Sequence, residues 1–177
     1  MKRILIATLV AFGLMTSSAS ASTVKEKHIG YTNMDIEGNT VNALNVGYSV
    51  MFPVFNESGF SVGFETNLNF GSMDSGDNSY GDSLSSSFVY GANGGFLVGY
   101  THNNIGLKTG VAIDYMNVSS DAYLLGVLYS VGAEYHFTEK FGAELVYKTG
   151  TMHLNSFSDK PDFDRTQFGI NLNWRFK

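Results

Sequence analysis

His153 and Ser156 stand close together in the sequence, with Asp162 and Asp164 shortly after. A histidine that activates a serine while a carboxylate orients it is the arrangement acyl transfer requires. On a strand, a partner sharing His153's face would sit two residues on, which is Asn155. Ser156 would face the other way if the strand continues. A calcium loop fares no better over Asp74, Gly76, Asn78 and Asp82, because its glycine is misplaced and Ser85 stands where the closing glutamate belongs. His28, His102 and His136 fall on different segments, mostly near segment ends, and read as polar interfacial residues rather than as a ligand cluster. With no cysteine in the chain, thiol catalysis and thiolate zinc sites are excluded. No catalytic, cofactor or metal site is expected. The remaining chemistry lies in charges set singly within apolar segments: Glu65, Lys108, Asp114, Glu134, Glu144, Lys148 and Arg175.

The composition is unlike that of an ordinary soluble domain. Only 15% of the 177 residues are charged, against roughly 25% in typical soluble proteins. Aromatics reach 14%, with 20 glycines and 2 prolines, which excludes disordered and collagen-like chains. The formal charge of −5 becomes −7 once Lys2 and Arg3 are set aside, and this argues against nucleic acid as a partner. Residues 1–21 read as a secretory signal peptide cleaved after Ala21: a basic start, the apolar stretch Ile4–Met15, and the small residues Ala19-Ser20-Ala21. That stretch is short of the roughly 20 residues a spanning helix needs, and no later one is longer. A membrane protein over residues 22–177 must therefore be built from strands.

The remaining chain alternates with period two. Phe168, Ile170, Leu172, Trp174 and Phe176 oppose Gly169, Asn171, Asn173 and Arg175. Phe141, Leu145 and Tyr147 oppose Glu144 and Lys148, and Tyr123, Val127, Tyr129, Val131 and Tyr135 oppose Ser130, Gly132 and Glu134. Similar patterns run through Ile105–Tyr115, Phe88–Tyr100, Phe60–Phe70 and Leu44–Phe52. His28–Ile36 alternates poorly. Eight strands result, each expected to be near the 9–11 residues of a tilted transmembrane strand. Connections at Pro53–Ser58, Thr101–Asn104 and Thr138–Lys140 are short, whereas Gly71–Ser87 and Leu154–Arg165 are long. This follows the asymmetry of periplasmic turns against outer loops, although the outer connections near Glu37–Asn39 and Val118–Asp121 are short as well. The expected fold is an all-β, eight-stranded antiparallel up-and-down transmembrane β-barrel.

The polar face is mostly Gly, Asn, Ser and Ala, which suits a cramped interior rather than a water-facing surface. Lys or Arg facing the lipid midplane would cost about 2–4 kcal/mol, and the apolar face holds none there. The seven charges named above therefore line the lumen. Lys108, Glu134, Glu144 and Arg175 fall near its periplasmic end and Glu65 and Lys148 nearer mid-height, with Lys108–Glu134 and Glu144–Arg175 as expected pairs.

The leader, the eight alternating segments and the closing strand resemble the small outer-membrane β-barrels of Gram-negative bacteria, the OmpA/OmpX-like group. The resemblance implies a monomer in the outer membrane, in contact with its lipid and lipopolysaccharide. It also implies that the assembly machinery reads the closing strand, through Phe168, Ile170, Leu172, Trp174 and Phe176. That group usually ends on an aromatic residue, whereas here Phe176 precedes Lys177. No peptidoglycan-binding domain like that of full-length OmpA-like proteins is expected beside the barrel, so the resemblance does not imply cell-wall tethering. The expected role is structural or interactive: envelope integrity, or presentation of acidic loops (Asp74, Asp77, Asp82; Asp159, Asp162, Asp164) to lipopolysaccharide, host surfaces or phage. Tyr80 and Phe157 are possible contact points in those loops. The alternatives are a narrow porin-like channel gated by the lumen charges, and a lipid A-modifying acyl hydrolase using His153, although the His-x-Ser spacing of the outer-membrane deacylases is not met.

Overall fold

The structure, a computed structural model, describes residues 23–54, 59–74, 87–118, 123–154 and 162–176. The leader, Ser156 and the loop residues Asp77, Tyr80, Asp82, Phe157 and Asp159 lie outside them. Eight strands follow in chain order: β1 (Val24–Ile36), β2 (Asn39–Pro53), β3 (Phe60–Asp74), β4 (Ser87–His102), β5 (Ile105–Asn117), β6 (Tyr123–His136), β7 (Phe141–Leu154) and β8 (Asp162–Phe176). Each pairs antiparallel with the next, and β8 pairs with β1 to close the barrel. Closure leaves no free sheet edge, so every strand's backbone groups are bonded within the wall, as lipid demands. The end carrying Val24 and Phe176 is called the terminal end below, and the opposite one the loop end. At the loop end, β1 turns into β2 through Glu37 and Gly38, both at positive φ (51° and 81°). That conformation suits glycine at the second turn position.

The strands are 13 to 16 residues long, beyond the 9–11 expected. The reason is visible in which face carries the apolar residues. Through most of the wall the outward side chains are apolar and exposed: Ile29, Leu44, Val46, Leu68, Phe96, Ile113, Val131, Leu145, Ile170 and Leu172 among them. Inward positions are polar or small. Near the loop end on β7, β8, β1, β2 and β3 the phase reverses. Asn33, Asp35, Asp74, Thr149, Asp162 and Asp164 point outward and are exposed, while Met34, Ile36, Val41, Met73 and Met152 point inward and are buried. On these five strands the wall therefore turns a polar outer face to water above the lipid and encloses a dry core, while β4 keeps Phe88 and Tyr90 outward. The poor alternation of β1 is this reversal within one strand.

That core comprises Met34, Ile36, Val41, Ala43, Met73, Val89, Met116, Val118, Leu124, Leu128 and Met152, with Leu154 and Phe163 packed against it. Met34, Met73, Met116 and Met152 come from β1, β3, β5 and β7, and none is more than 1% exposed. Unbranched thioether side chains adapt to an irregular space, which suits a plug formed by converging strands.

Candidate functional site

Among the described residues the lumen gathers most of the polar contacts, and it is layered. At the terminal end, Glu26 (β1), Lys108 (β5), Glu134 (β6), Glu144 (β7) and Arg175 (β8) converge. Lys108 Nζ lies 2.7 Å from Glu26, 3.1 Å from Glu134 and 3.3 Å from Glu144. Arg175 Nε donates to Glu26 at 3.0 Å and its Nη2 to Glu134 at 3.1 Å. Asn173 Nδ2 bridges Glu26 and Glu134, and Asn171 Nδ2 donates to Glu144 at 2.9 Å. Three buried carboxylates thus face two permanent cations. His136 Nε2 lies 3.2 Å from Glu134.

The Lys108–Glu134 contact matches the sequence pairing. Glu144–Arg175 does not form: Glu144 turns to Lys108 and Asn171, and Arg175 to Glu26 and Glu134. Closure is the cause, since β1 pairs with β8 so that Glu26 sits directly opposite Arg175. The sequence pattern starts the poorly alternating β1 at His28, whereas the strand begins at Val24 and so includes Glu26. Its signal was the spacing Glu26, His28, Gly30, Thr32 on one strand face.

At mid-height Lys148 Nζ bonds Glu65 at 2.8 Å and Asn93 Oδ1 at 3.4 Å. Asn67 Nδ2 donates to Glu65 and to Asn93 Oδ1, and His28 Nε2 donates to Asn67 Oδ1 at 2.5 Å. His28 and His136 are therefore buried lumen residues at 5% and 4% exposure, not interfacial ones. Their parity with Glu26 and Glu134 turns both inward. Of the expected interfacial set only His102 sits at the rim, stacked on Tyr100 with ring centroids 6.5 Å apart.

Towards the loop end, directly beneath the methionine plug, Arg165 of β8 pairs with Asp114 of β5, and both side chains are 0% exposed. Arg165 Nη2 also donates to Gln167 Oε1 at 2.8 Å and lies 3.1 Å from Met34 Sδ. The sequence pattern assigns Arg165 to an outer loop, because the apolar phase of β8 reverses between Phe163 and Phe168. Charges this enclosed require partners, since an unpaired one carries a desolvation cost of several kcal/mol.

Among the described residues, a roomy cavity opens at the terminal end. A cavity of about 290 Å³ is lined by Glu26, Lys108 and Arg175 at its polar side and by Met51, Phe60 and Leu107 among its walls. At the Glu65–Lys148 level the free volume falls to about 10 Å³, the space of one water at most. The arrangement is an open vestibule, a packed polar middle and a dry cap. Among the described residues no three His, Asp or Glu side chains are grouped to hold a metal.

Outside, the His153 ring on β7 meets Asp162 of β8, Nδ1 to Oδ1 at 2.5 Å. This pair faces outward at the loop end. The terminal end carries an aromatic belt: Phe60–Tyr100, Tyr135–Phe137 and Phe141–Trp174 pair at 4.8, 5.5 and 5.4 Å. Aromatic residues settle where hydrocarbon meets headgroups. The apolar outer wall and this belt place the barrel across a bilayer.

Solved structures with the same fold include outer-membrane barrels. Neisserial surface protein A aligns over 90% of this chain and 100% of its own, with a TM-score of 0.54 and 8% identity. Ail, the attachment invasion locus protein of Yersinia pestis, solved with the heparin analogue sucrose octasulfate, aligns over 88% and 99% with a TM-score of 0.52 and 11% identity. The outer membrane enzyme PagL aligns over 82% and 97%, also at 0.52 and 11%. At such identities the likeness is one of fold: a small eight-stranded barrel of the bacterial outer membrane. No curated protein matches the chain. A family model covers residues 15–172, nearly the whole barrel, and the chain belongs to that family, described as Domain of unknown function (DUF2715).

Proposed function

We propose that this protein is a closed structural and interaction barrel, one that contributes to envelope integrity or adhesion through its loop end and does not conduct solutes. The observation that carries this reading is the fully buried Arg165–Asp114 pair beneath the methionine plug. Opening a path there would strip two charges of their partners and expose a dry core, so the lumen charges act as a plug rather than a gate. The loop end, which rises beyond the lipid on a rigid wall with acidic residues outward, is the part available to lipopolysaccharide, a host surface or phage. Ail, of the same fold, was solved with a heparin analogue, so a barrel of this size can hold an external ligand.

The test is single-channel recording of the refolded barrel in a planar bilayer, after heat-modifiable gel migration has shown that it is folded. A silent bilayer is expected. Discrete, reproducible openings that change on neutralising Lys148 or Glu65 would overturn the reading in favour of the channel.

Assembly is proposed to read the outward face of β8, where Phe168, Ile170, Leu172 and Trp174 are exposed and Phe176 packs 6.1 Å from Tyr48. Phe176→Ala should slow insertion in cells, measured as the fraction of heat-modifiable protein after a pulse of synthesis.

A further inference from the structure

The outward-facing charges are sorted by sign between the two ends. Of the described cations, Lys108, Lys148, Arg165 and Arg175 face the lumen, which leaves Lys25, Lys27 and Lys140 outside. All three lie at the terminal end, on one seam. Lys25 and Lys27 sit opposite Phe176 and Trp174 of β8, and Lys140 is in the β6–β7 turn, where its carbonyl accepts Arg175 N at 2.7 Å. The described outward carboxylates Asp35, Glu37, Asp74, Asp162 and Asp164 all lie at the loop end; Glu139 is the exception, beside Lys140.

The seam joins those cations to an aromatic surface. Phe141 stacks on Trp174, the chain's single tryptophan, at 5.4 Å. Lys27 Nζ sits 5.2 Å from the centre of the Phe176 ring, which holds that ammonium at the wall instead of letting it extend into water. Above the lysines the outward face of β8 is Leu172 and Ile170, both exposed. Ammonium groups at headgroup level, rings at the interface and aliphatic side chains beyond them follow the order of a phospholipid's own groups.

We propose that the β7–β8–β1 seam at the terminal end binds the phosphate headgroup of an anionic phospholipid, such as phosphatidylglycerol, in the periplasmic leaflet. Lys25, Lys27 and Lys140 contact the phosphate, and Trp174 with Leu172 receives the upper acyl chain. A free phosphate ion would use the lysines but gain nothing from the apolar wall. The proposal rests on the membrane location and not on the closed lumen. Conductance results therefore leave it standing, and its own failure leaves the closed lumen standing.

The test uses the barrel refolded into phosphatidylcholine vesicles containing a minority of phosphatidylglycerol, extracted in mild detergent, with the lipid that remains bound measured by mass spectrometry. Each lysine near a charged bilayer surface is worth about fivefold in partitioning. An enrichment of phosphatidylglycerol over its share in the vesicle, of about fivefold or more, is expected. The variant Lys25→Gln/Lys27→Gln/Lys140→Gln should lose it, while Asp35→Asn/Asp162→Asn/Asp164→Asn keeps it. Should the triple variant not fold, Lys140→Gln, in a turn outside the strands, should lose part of it. Bound lipid in the vesicle's own ratio, enrichment that survives the lysine changes, or displacement of the lipid by inorganic phosphate would each overturn the proposal.

Discussion

Arg165 on β8 reaches across the barrel to Asp114 on β5, and neither side chain is exposed to solvent. The two strands are not neighbours in the wall, so the pair fastens opposite sides of the barrel at one level. Removing either partner leaves a buried charge alone, at a cost of about 3–5 kcal/mol. Asp114→Asn or Arg165→Met should each lower the urea midpoint of the refolded barrel accordingly. The double change Asp114→Leu/Arg165→Met should recover most of the loss, because replacing both charges with apolar groups removes the desolvation cost along with the attraction. Strict additivity of the two single effects would show that the pair is not coupled.

Gly47 lies in register between His28 on β1 and Asn67 on β3. A Cβ there would come within 2.1 Å of His28 Nε2 and 2.2 Å of Asn67 Oδ1, so the glycine's missing side chain is what allows the His28–Asn67 bond. Gly47→Ala should destabilise by about 1–3 kcal/mol, the usual range for overpacking. The loss should appear as a lower temperature for conversion to the unfolded gel mobility.

The reversal of phase at the loop end predicts opposite tolerances for neighbouring residues. Met73 points into the dry core and Ser72 points outward. Met73→Ala should cost about 2–5 kcal/mol, whereas Ser72→Ala should stay within about 0.5 kcal/mol. Urea unfolding of the two variants side by side measures the difference.

Trp174 reports where the bilayer ends at the terminal side. It is outward, 56% exposed and stacked on Phe141. Its fluorescence in vesicles should be quenched more by lipids brominated near the headgroup than by lipids brominated at mid-chain. The opposite order would put the aromatic belt inside the hydrocarbon.

The His153–Asp162 contact, 2.5 Å long at the outward loop end, separates the enzyme alternative from the structural reading. His153→Ala should leave lipid A unchanged by mass spectrometry when the barrel is overexpressed, compared with the unaltered protein. A modification that appears with the native chain and vanishes with the variant would count for acyl hydrolysis.

What the sequence determined by itself was the wall. Period-two alternation such as Phe168–Phe176 is a local property of each strand, and it is enough to read eight strands, an apolar exterior and a lumen holding Glu65, Lys108, Asp114, Glu134, Glu144, Lys148 and Arg175. Partnership inside the lumen was decided only by closure and register. β8 pairing with β1 sets Glu26 against Arg175 and leaves Glu144 to Lys108, and no periodicity within one strand carries that information. The dry cap was equally hidden. Met34, Met73, Met116 and Met152 are far apart in the chain and break the alternation of their own strands, so each looks like noise until the barrel brings them together. The same residues are apolar in both settings; whether an apolar side chain turns outward or inward depends on whether lipid or water surrounds the wall at that height.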